Sequence, residues 1–299
     1  MSTPHPLIAA WARSAVVPRN GAFKTLHAHD IATPVLRALL ERAGIDANAV
    51  DAVVMGNALG AGGNPARMLA LHAGLNQRCA AYTVDTQCCA GLDAVAIGAA
   101  LIASGQAHVV VAGGAEAWSR SPIRMHRPLT ADTPAEAYER PAFAPNPAQD
   151  PDMLLSAARY ATQAGYTRAL SALAISAQAD GAAFVLLVSP QACEQYQLTP
   201  QAEWIAHASV GSAPETPLLA AEAAALQVLQ RAGFANAQDM THVELHDAFA
   251  VQGLSFAQGL SLAPERLNPL GGGLARGHPI GASAAIALVR LLADLNREG

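Results

Sequence analysis

Charge is scarce in this sequence: Asp, Glu, Lys and Arg make up 14% of 299 residues, and the formal net charge is −5. No run is basic, so neither nucleic acid nor an anionic membrane finds an electrostatic footprint on it. Cysteine is scarce too. The four present, Cys79, Cys88, Cys89 and Cys193, form no Cys-x-x-Cys pair and no ladder of spacings. That argues against a disulfide framework and a cysteine-ligated zinc site, and points to a reducing compartment. Residues 1–6 are polar and contain proline, without a basic region leading into an apolar run, so a signal peptide is not expected there. No apolar run reaches membrane-spanning length, because Gly, Asp, Gln or Arg interrupts each Ala-rich stretch. A cytoplasmic protein without a bound metal is expected.

What the chain does have is apolar residues, 52% of the total, enough for one large core or two similar halves. Short continuous apolar runs alternate with helical patterns, which predicts an α/β protein with a covered sheet. Strands are expected at 7–11, 50–55, 81–84, 108–112, 182–188, 204–210 and 243–245. Helices are expected at 31–43, at 65–73 with Asn64 as cap and Pro65 at the first position, from Gly91 onward, and at 153–164, 191–197, 217–232, 249–260 and 283–296. Residues 115–175, rich in Pro, Ala, Arg and Asp, read as an excursion that covers the site. An internal repeat is also visible: Leu39-Leu40-Glu41-Arg42-Ala43-Gly44 is similar to Val228-Leu229-Gln230-Arg231-Ala232-Gly233, and at the same offset Asn57 falls on His246. Two related halves are expected, with side chains on their strand-to-helix turns meeting at the junction.

Three residues at strand or helix ends carry candidate chemistry. Cys88 lies between an apolar strand and a helix apolar nearly all round, where free backbone N–H groups and the helix dipole favour a thiolate. Packing as a small hydrophobe is the competing reading for Cys88 and Cys89. His278 lies in a glycine-rich turn, where Gly272 and Gly277 permit close backbone approach and Pro279 holds the turn. A histidine in reach of a cysteine is the usual route to a thiolate nucleophile. His246 follows the short strand at 243–245, at an end where such sheets present side chains to ligands.

These motifs resemble those of the thiolase superfamily. Residues 84–122, VDTQCCAGLDAVAIGAALIASGQAHVVVAGGAEAWSRSP, are similar to the family's nucleophile region. Gly63-Asn64-Pro65-Ala66-Arg67 resembles its interface helix, and Asp180-Gly181-Ala182 the opening of its second half. His246-Asp247-Ala248-Phe249 resembles the Asn-Glu-Ala-Phe block, reminiscent of sterol-carrier-type thiolases, and Gly277-His278-Pro279-Ile280-Gly281-Ala282-Ser283 resembles the Gly-His-Pro block. The resemblance implies a five-layered αβαβα fold with two related halves. It divides into residues 1–114 (N-terminal half), 115–179 (shortened cover region) and 180–299 (C-terminal half). It further implies an acyl-CoA acyltransferase with Cys88 as nucleophile, His278 as its base, and His246 and the Cys88 backbone N–H as oxyanion donors. A coenzyme A thioester would be substrate or product, with no bound prosthetic group, and the chain would form a homodimer or a hetero-oligomer with a thiolase-like subunit.

The pattern also departs from the family. Asp85 stands for asparagine and Ala90 for serine, and the stretch between Gly114 and Asp180 is short. A C-terminal Cys-x-Gly turn and the last strands of the second sheet are not found before Gly299. Ala248 stands where sterol-carrier-type thiolases have a cysteine. These departures leave three alternatives beside full thiolase chemistry: β-ketoacyl-synthase-like condensation, simple acyl transfer, or a thiolase-like subunit acting as a partner.

Overall fold

The computed structural model describes residues 5–60, 62–150, 152–166 and 175–298. The cover region expected at 115–179 and the N-terminal half expected at 1–114 each lie partly outside them.

One sheet organises the chain. Its strands are β1 (Leu7–Arg13), β2 (Val17–Pro18), β3 (Ala52–Gly56), β4 (Ala80–Val84), β5 (Val109–Ala117), β8 (Ala179–Val188) and β9 (Ala202–Glu203). The spatial order is β4-β3-β5-β8-β1-β9, with β2 beside β8. The three strands β4, β3 and β5 are parallel, and β8 runs antiparallel to both β5 and β1. Every residue of β3, β5 and β8 is buried. This explains why their sequences read as unbroken apolar runs.

The alternation along each strand feeds two cores. Val109 and Val111 of β5, with Phe184 and Leu186 of β8, face α1 (Ala28–Ala43) and α2 (Pro65–Ala73). Val110, Ala112, Val185 and Leu187 face the other way, onto α3 (Ala90–Ala103) and a C-terminal helix at Ser283–Glu298. The sheet is therefore covered on both sides, and α3 is the central helix its composition called for. Asn64 caps α2 as expected, accepting from Arg67 N at 3.2 Å. It also accepts from the Thr83 hydroxyl at 2.7 Å, tying α2 to the edge strand β4.

The strand expected at 182–188, just after the opening of the C-terminal half, spans Ala179–Val188 and lies in the middle of this sheet, between β5 and β1. It is flanked on both faces by core, so the centre is the position its apolar sequence suits. The excursion holds a two-stranded hairpin of β6 (Arg124–His126) and β7 (Glu136–Tyr138), then α4 (Met153–Gln163). After β8 come α5 (Pro190–Tyr196), α6 (Ala220–Ala232), α7 (Ala250–Gly259), a helical turn α8 (Gly273–Arg276) and α9 (Ser283–Glu298). Gly44 and Gly233, matched by the repeat, both end their helices in the left-handed conformation, at φ +68 and +80. Helix α4 packs on α7, where the Tyr160 hydroxyl lies 2.9 Å from Ser255 Oγ.

The second half is less regular. Of the strand expected at 204–210 only Ala202–Glu203 just before it pairs, with Leu7 and Ile8 of β1. Residues 243–245 make one bridge, Val243 to Leu267. A strand pattern becomes a strand only where a partner takes up its N–H and C=O groups in a row, and here the contacts are isolated: Trp204 N donates to Pro6 O at 2.9 Å, and Val243 O accepts from Asn268 N at 3.0 Å. Among the described residues no helix is long and apolar enough to cross a membrane.

Candidate active site

The turn that carries Cys88 is held in an unusual backbone state. Gln87 has φ +56, a left-handed conformation rare for a residue with a Cβ. Asp85 supports it: one carboxylate oxygen accepts from Gln87 N at 3.0 Å and from Gln87 Nε2 at 3.1 Å. An asparagine could give the same turn, so the departure at position 85 keeps its local role. Cys88 follows, in a short 3-10 turn just before α3 begins.

His278 comes from the turn before α9. Its backbone is fixed from two sides, donating N–H to Ala177 O at 2.7 Å while its carbonyl accepts from Trp118 Nε1 at 2.8 Å. Its Nε2 lies 3.1 Å from Cys88 Sγ. Its Nδ1 lies 2.7 Å from Ser283 Oγ, and that hydroxyl donates to Pro279 O at 3.0 Å. Because the single Ser283 proton is used on Pro279, Ser283 must accept from Nδ1–H. This leaves the Nε2 lone pair for the Cys88 thiol. Ser283 was quoted in the Gly-His-Pro block, but its role there follows only from this geometry.

His246 joins the pair. Its ring lies 4.3 Å from the His278 ring, centroid to centroid, and its Nε2 is shielded from solvent without a hydrogen-bond partner. The adjacent Asp247 turns away to accept from the backbone N–H groups of Gly273 and Leu274 at the start of α8. Gly272 packs against that carboxylate, and a Cβ there would fall 2.1 Å from Asp247 Oδ1. Gly277 has φ +103 and faces Ala179. On the side where a Cβ would sit, both glycines meet protein.

The residue the sequence reading missed is Glu116. It is 1% exposed, at the end of β5. One carboxylate oxygen accepts from Asn57 Nδ2 at 2.9 Å and Leu59 N at 3.3 Å, the other from Ala58 N at 2.9 Å and Gly281 N at 3.0 Å. It thereby ties the turn after β3 to the turn that carries His278. A lone glutamate in the otherwise uncharged run 109–117 was the available signal. Gly281 makes the approach possible, since a Cβ there would fall 2.7 Å from the Asn57 Cα.

Burial sets the charges. It pushes the Cys88 thiol up to about 12, with Cys89 adding to the shift, and brings the His278 imidazole down to about 4. His246 is held well below the usual imidazole range by burial, then by His278 and Arg276. Burial also raises the Glu116 carboxyl to about 7, against the pull of its backbone donors. The resting pair is therefore a neutral thiol and a neutral imidazole. The preformed thiolate expected from the helix end is overridden by desolvation. Cys79 and Cys193 lie in the core on the α1 and α2 side of the sheet. Cys89, next to Cys88, is solvent-exposed.

Known proteins resemble this chain in sequence and in fold. The family profile "Thiolase, N-terminal domain" matches residues 7–185, and "Thiolase, C-terminal domain" matches residues 198–299. An acetyl-CoA acetyltransferase of Rhizobium meliloti is 32% identical over 371 aligned positions, covering 100% of this chain and 94% of its own. That span exceeds the 299 residues here by 72 positions. An acetyl-CoA acetyltransferase of Shinella zoogloeoides is 31% identical, with the same coverage of both chains. The Acat5 thiolase of Ascaris suum, solved in complex with coenzyme A, superposes with a TM-score of 0.88 at 22% identity, over 96% of this chain and 92% of its own. The acetyl-CoA acetyltransferase of Bacillus anthracis gives 0.85 at 24% identity, over 99% and 93%. The thiolase fold, and both thiolase domain profiles along most of the sequence, make this chain a member of the thiolase family.

Proposed function

We propose that the chain is a thiolase-type acyl-CoA acyltransferase working through an acyl-Cys88 intermediate. The observation that carries this reading is the Cys88 Sγ to His278 Nε2 contact of 3.1 Å, with the far side of the ring committed to Ser283. His278 Nε2 removes the thiol proton as sulfur attacks the thioester carbonyl. The developing oxyanion takes hydrogen bonds from His246 Nε2–H and the Cys88 backbone N–H. Collapse expels the coenzyme A thiol, which leaves with the proton from His278, and the acyl group stays on Cys88 for an acceptor. A neutral resting pair suits this order, because charge forms only when the carbonyl is present to receive it.

One observation favours a narrower second reading. Neither Cys79 nor Cys193 faces the Cys88 side of the sheet, so neither can serve as a second proton carrier for carbon–carbon bond formation. Simple acyl transfer, or condensation driven by decarboxylation, needs only the Cys88, His278 and His246 set. A homodimer fits the edge strand β4, where Tyr82, with Met68 and Leu71 of neighbouring α2, is exposed. Four free thiols agree with a cytoplasmic setting.

The test is intact mass spectrometry after incubation with acetyl-CoA. A single acetyl adduct that is absent from Cys88→Ala supports the reading. No adduct, or one that survives the substitution, leaves the chain a thiolase-like partner subunit.

A further inference from the structure

Away from Cys88, three donor groups converge where the start of α1 meets the end of α2. His29 and Asp30 lie in the first turn of α1, and His72 in the last turn of α2. One ligand atom from each lies within 4.8 Å of the others. Asp30 Oδ1 is 3.6 Å from His29 Nε2 and 3.7 Å from His72 Nδ1. Both distances are too long for a hydrogen bond; His72 Nδ1 instead lies 3.3 Å from Thr33 Oγ1, a hydroxyl that donates to His29 O at 2.7 Å, and an entering ion would displace that single contact. The two Asp30 distances are close to the ligand spacing of a tetrahedral zinc ion, about 3.3–3.4 Å edge to edge for bonds of about 2.0–2.1 Å.

The surroundings fix the donors. Asp30 Oδ2 accepts from His27 N at 2.9 Å, in a capping interaction that pins the carboxylate and leaves Oδ1 turned towards the imidazoles. The His27 ring stacks on the His29 ring at 5.6 Å, and the His29 and His72 rings meet edge to face at 5.3 Å. The neighbouring cation, Arg37, donates to the His72 and Ala73 carbonyls at the end of α2. The side chains are 25%, 29% and 50% exposed, for His29, Asp30 and His72, so an ion can enter from solvent and keep a water in its fourth position.

We propose that His29, Asp30 and His72 form a binding site for a divalent transition-metal ion of the zinc type, clipping the first turn of α1 to the last turn of α2. Two imidazoles with one carboxylate select such an ion over calcium or magnesium, which take oxygen ligands.

The test is titration of the untagged, chelator-stripped chain with Co2+, read by visible absorption. One equivalent with ligand-field bands, displaced by Zn2+ and without a sulfur-to-cobalt band, is expected. His29→Ala and His72→Ala should each weaken binding by at least about tenfold. His126→Ala, outside the cluster, should leave binding unchanged. Zn2+ should raise the unfolding temperature of the native chain and not that of His72→Ala, whose exposed side chain can be removed without opening the core. Absence of bands, a sulfur-to-cobalt band, or binding equal in both cluster variants and the native chain would overturn the proposal.

Discussion

The neutral state of the Cys88 and His278 pair leads to a sharp expectation for thiol reactivity. An ordinary free cysteine, titrating near about 8.5, is about 3% thiolate at pH 7. With the Cys88 thiol pushed up to about 12 by burial, that fraction falls to about 10⁻⁵, a loss of some three orders of magnitude. His278, down to about 4, stays an unprotonated base across the same range. Between these two values the thiolate fraction climbs tenfold per pH unit without a plateau, and it exceeds the pH-independent ion-paired fraction, about 10⁻⁸ from the same two values. The assay is alkylation of Cys88 by iodoacetamide from pH 3.5 to 9.5, followed by peptide mass spectrometry with Cys89 as internal comparison. The rate should rise about tenfold per pH unit across the range, following the thiolate fraction. It should show no sigmoid step between pH 5.5 and 9. A midpoint between pH 6 and 8.5, with a fast plateau above it, would mean a low-pKa thiolate and refute the desolvation argument.

Other expectations follow from the same contacts. Ser283→Ala frees His278 Nδ1 and releases the tautomer, so single-turnover acylation by acetyl-CoA should slow by about 10–100-fold, with unfolding temperature nearly unchanged. His246→Ala removes the oxyanion donor and should lower the acylation rate constant by about 10²-fold, with recovery in His246→Asn, whose amide can also donate. Glu116→Gln turns an NH2 group on two of the four N–H donors, so denaturant titration should show a loss of about 2 kcal/mol or more. The same variant should change the pH dependence of stability. The folded Glu116 carboxyl, raised to about 7 from 4.5, contributes stability below pH 4.5 that is lost as pH rises through 7. The native-minus-variant difference should therefore be larger at pH 5 than at pH 7.5, by up to about 3 kcal/mol, and an unchanged difference would remove Glu116 as the titrating group. Asp85→Ala should loosen the left-handed turn at Gln87 and slow acylation, whereas Asp85→Asn should keep it; equal rates in the two would show that the turn holds itself.

Much of this protein was legible in its sequence because the information is local. The burial of β3, β5 and β8 shows as unbroken apolar runs, and the start of α2 shows as Asn64 followed by Pro65. The helix ends at Gly44 and Gly233 show as glycine. The candidate residues Cys88, His246 and His278 could be singled out because reactive side chains beside glycines at element ends are uncommon. Tertiary structure decided what depends on distant parts of the chain. It placed the 179–188 strand in the centre of the first sheet, since only there are both of its faces covered. It withheld a regular strand at 204–210, since pairing needs a partner that local sequence does not specify. It also reversed the expected ionisation of Cys88, because a helix end contributes only about 1 kcal/mol while removal of water from a thiolate is several times larger. The role of Glu116 belongs to this second group. It is a polar residue in an apolar stretch, and which N–H groups surround it is fixed only when β5, the turn after β3 and the turn before α9 come together.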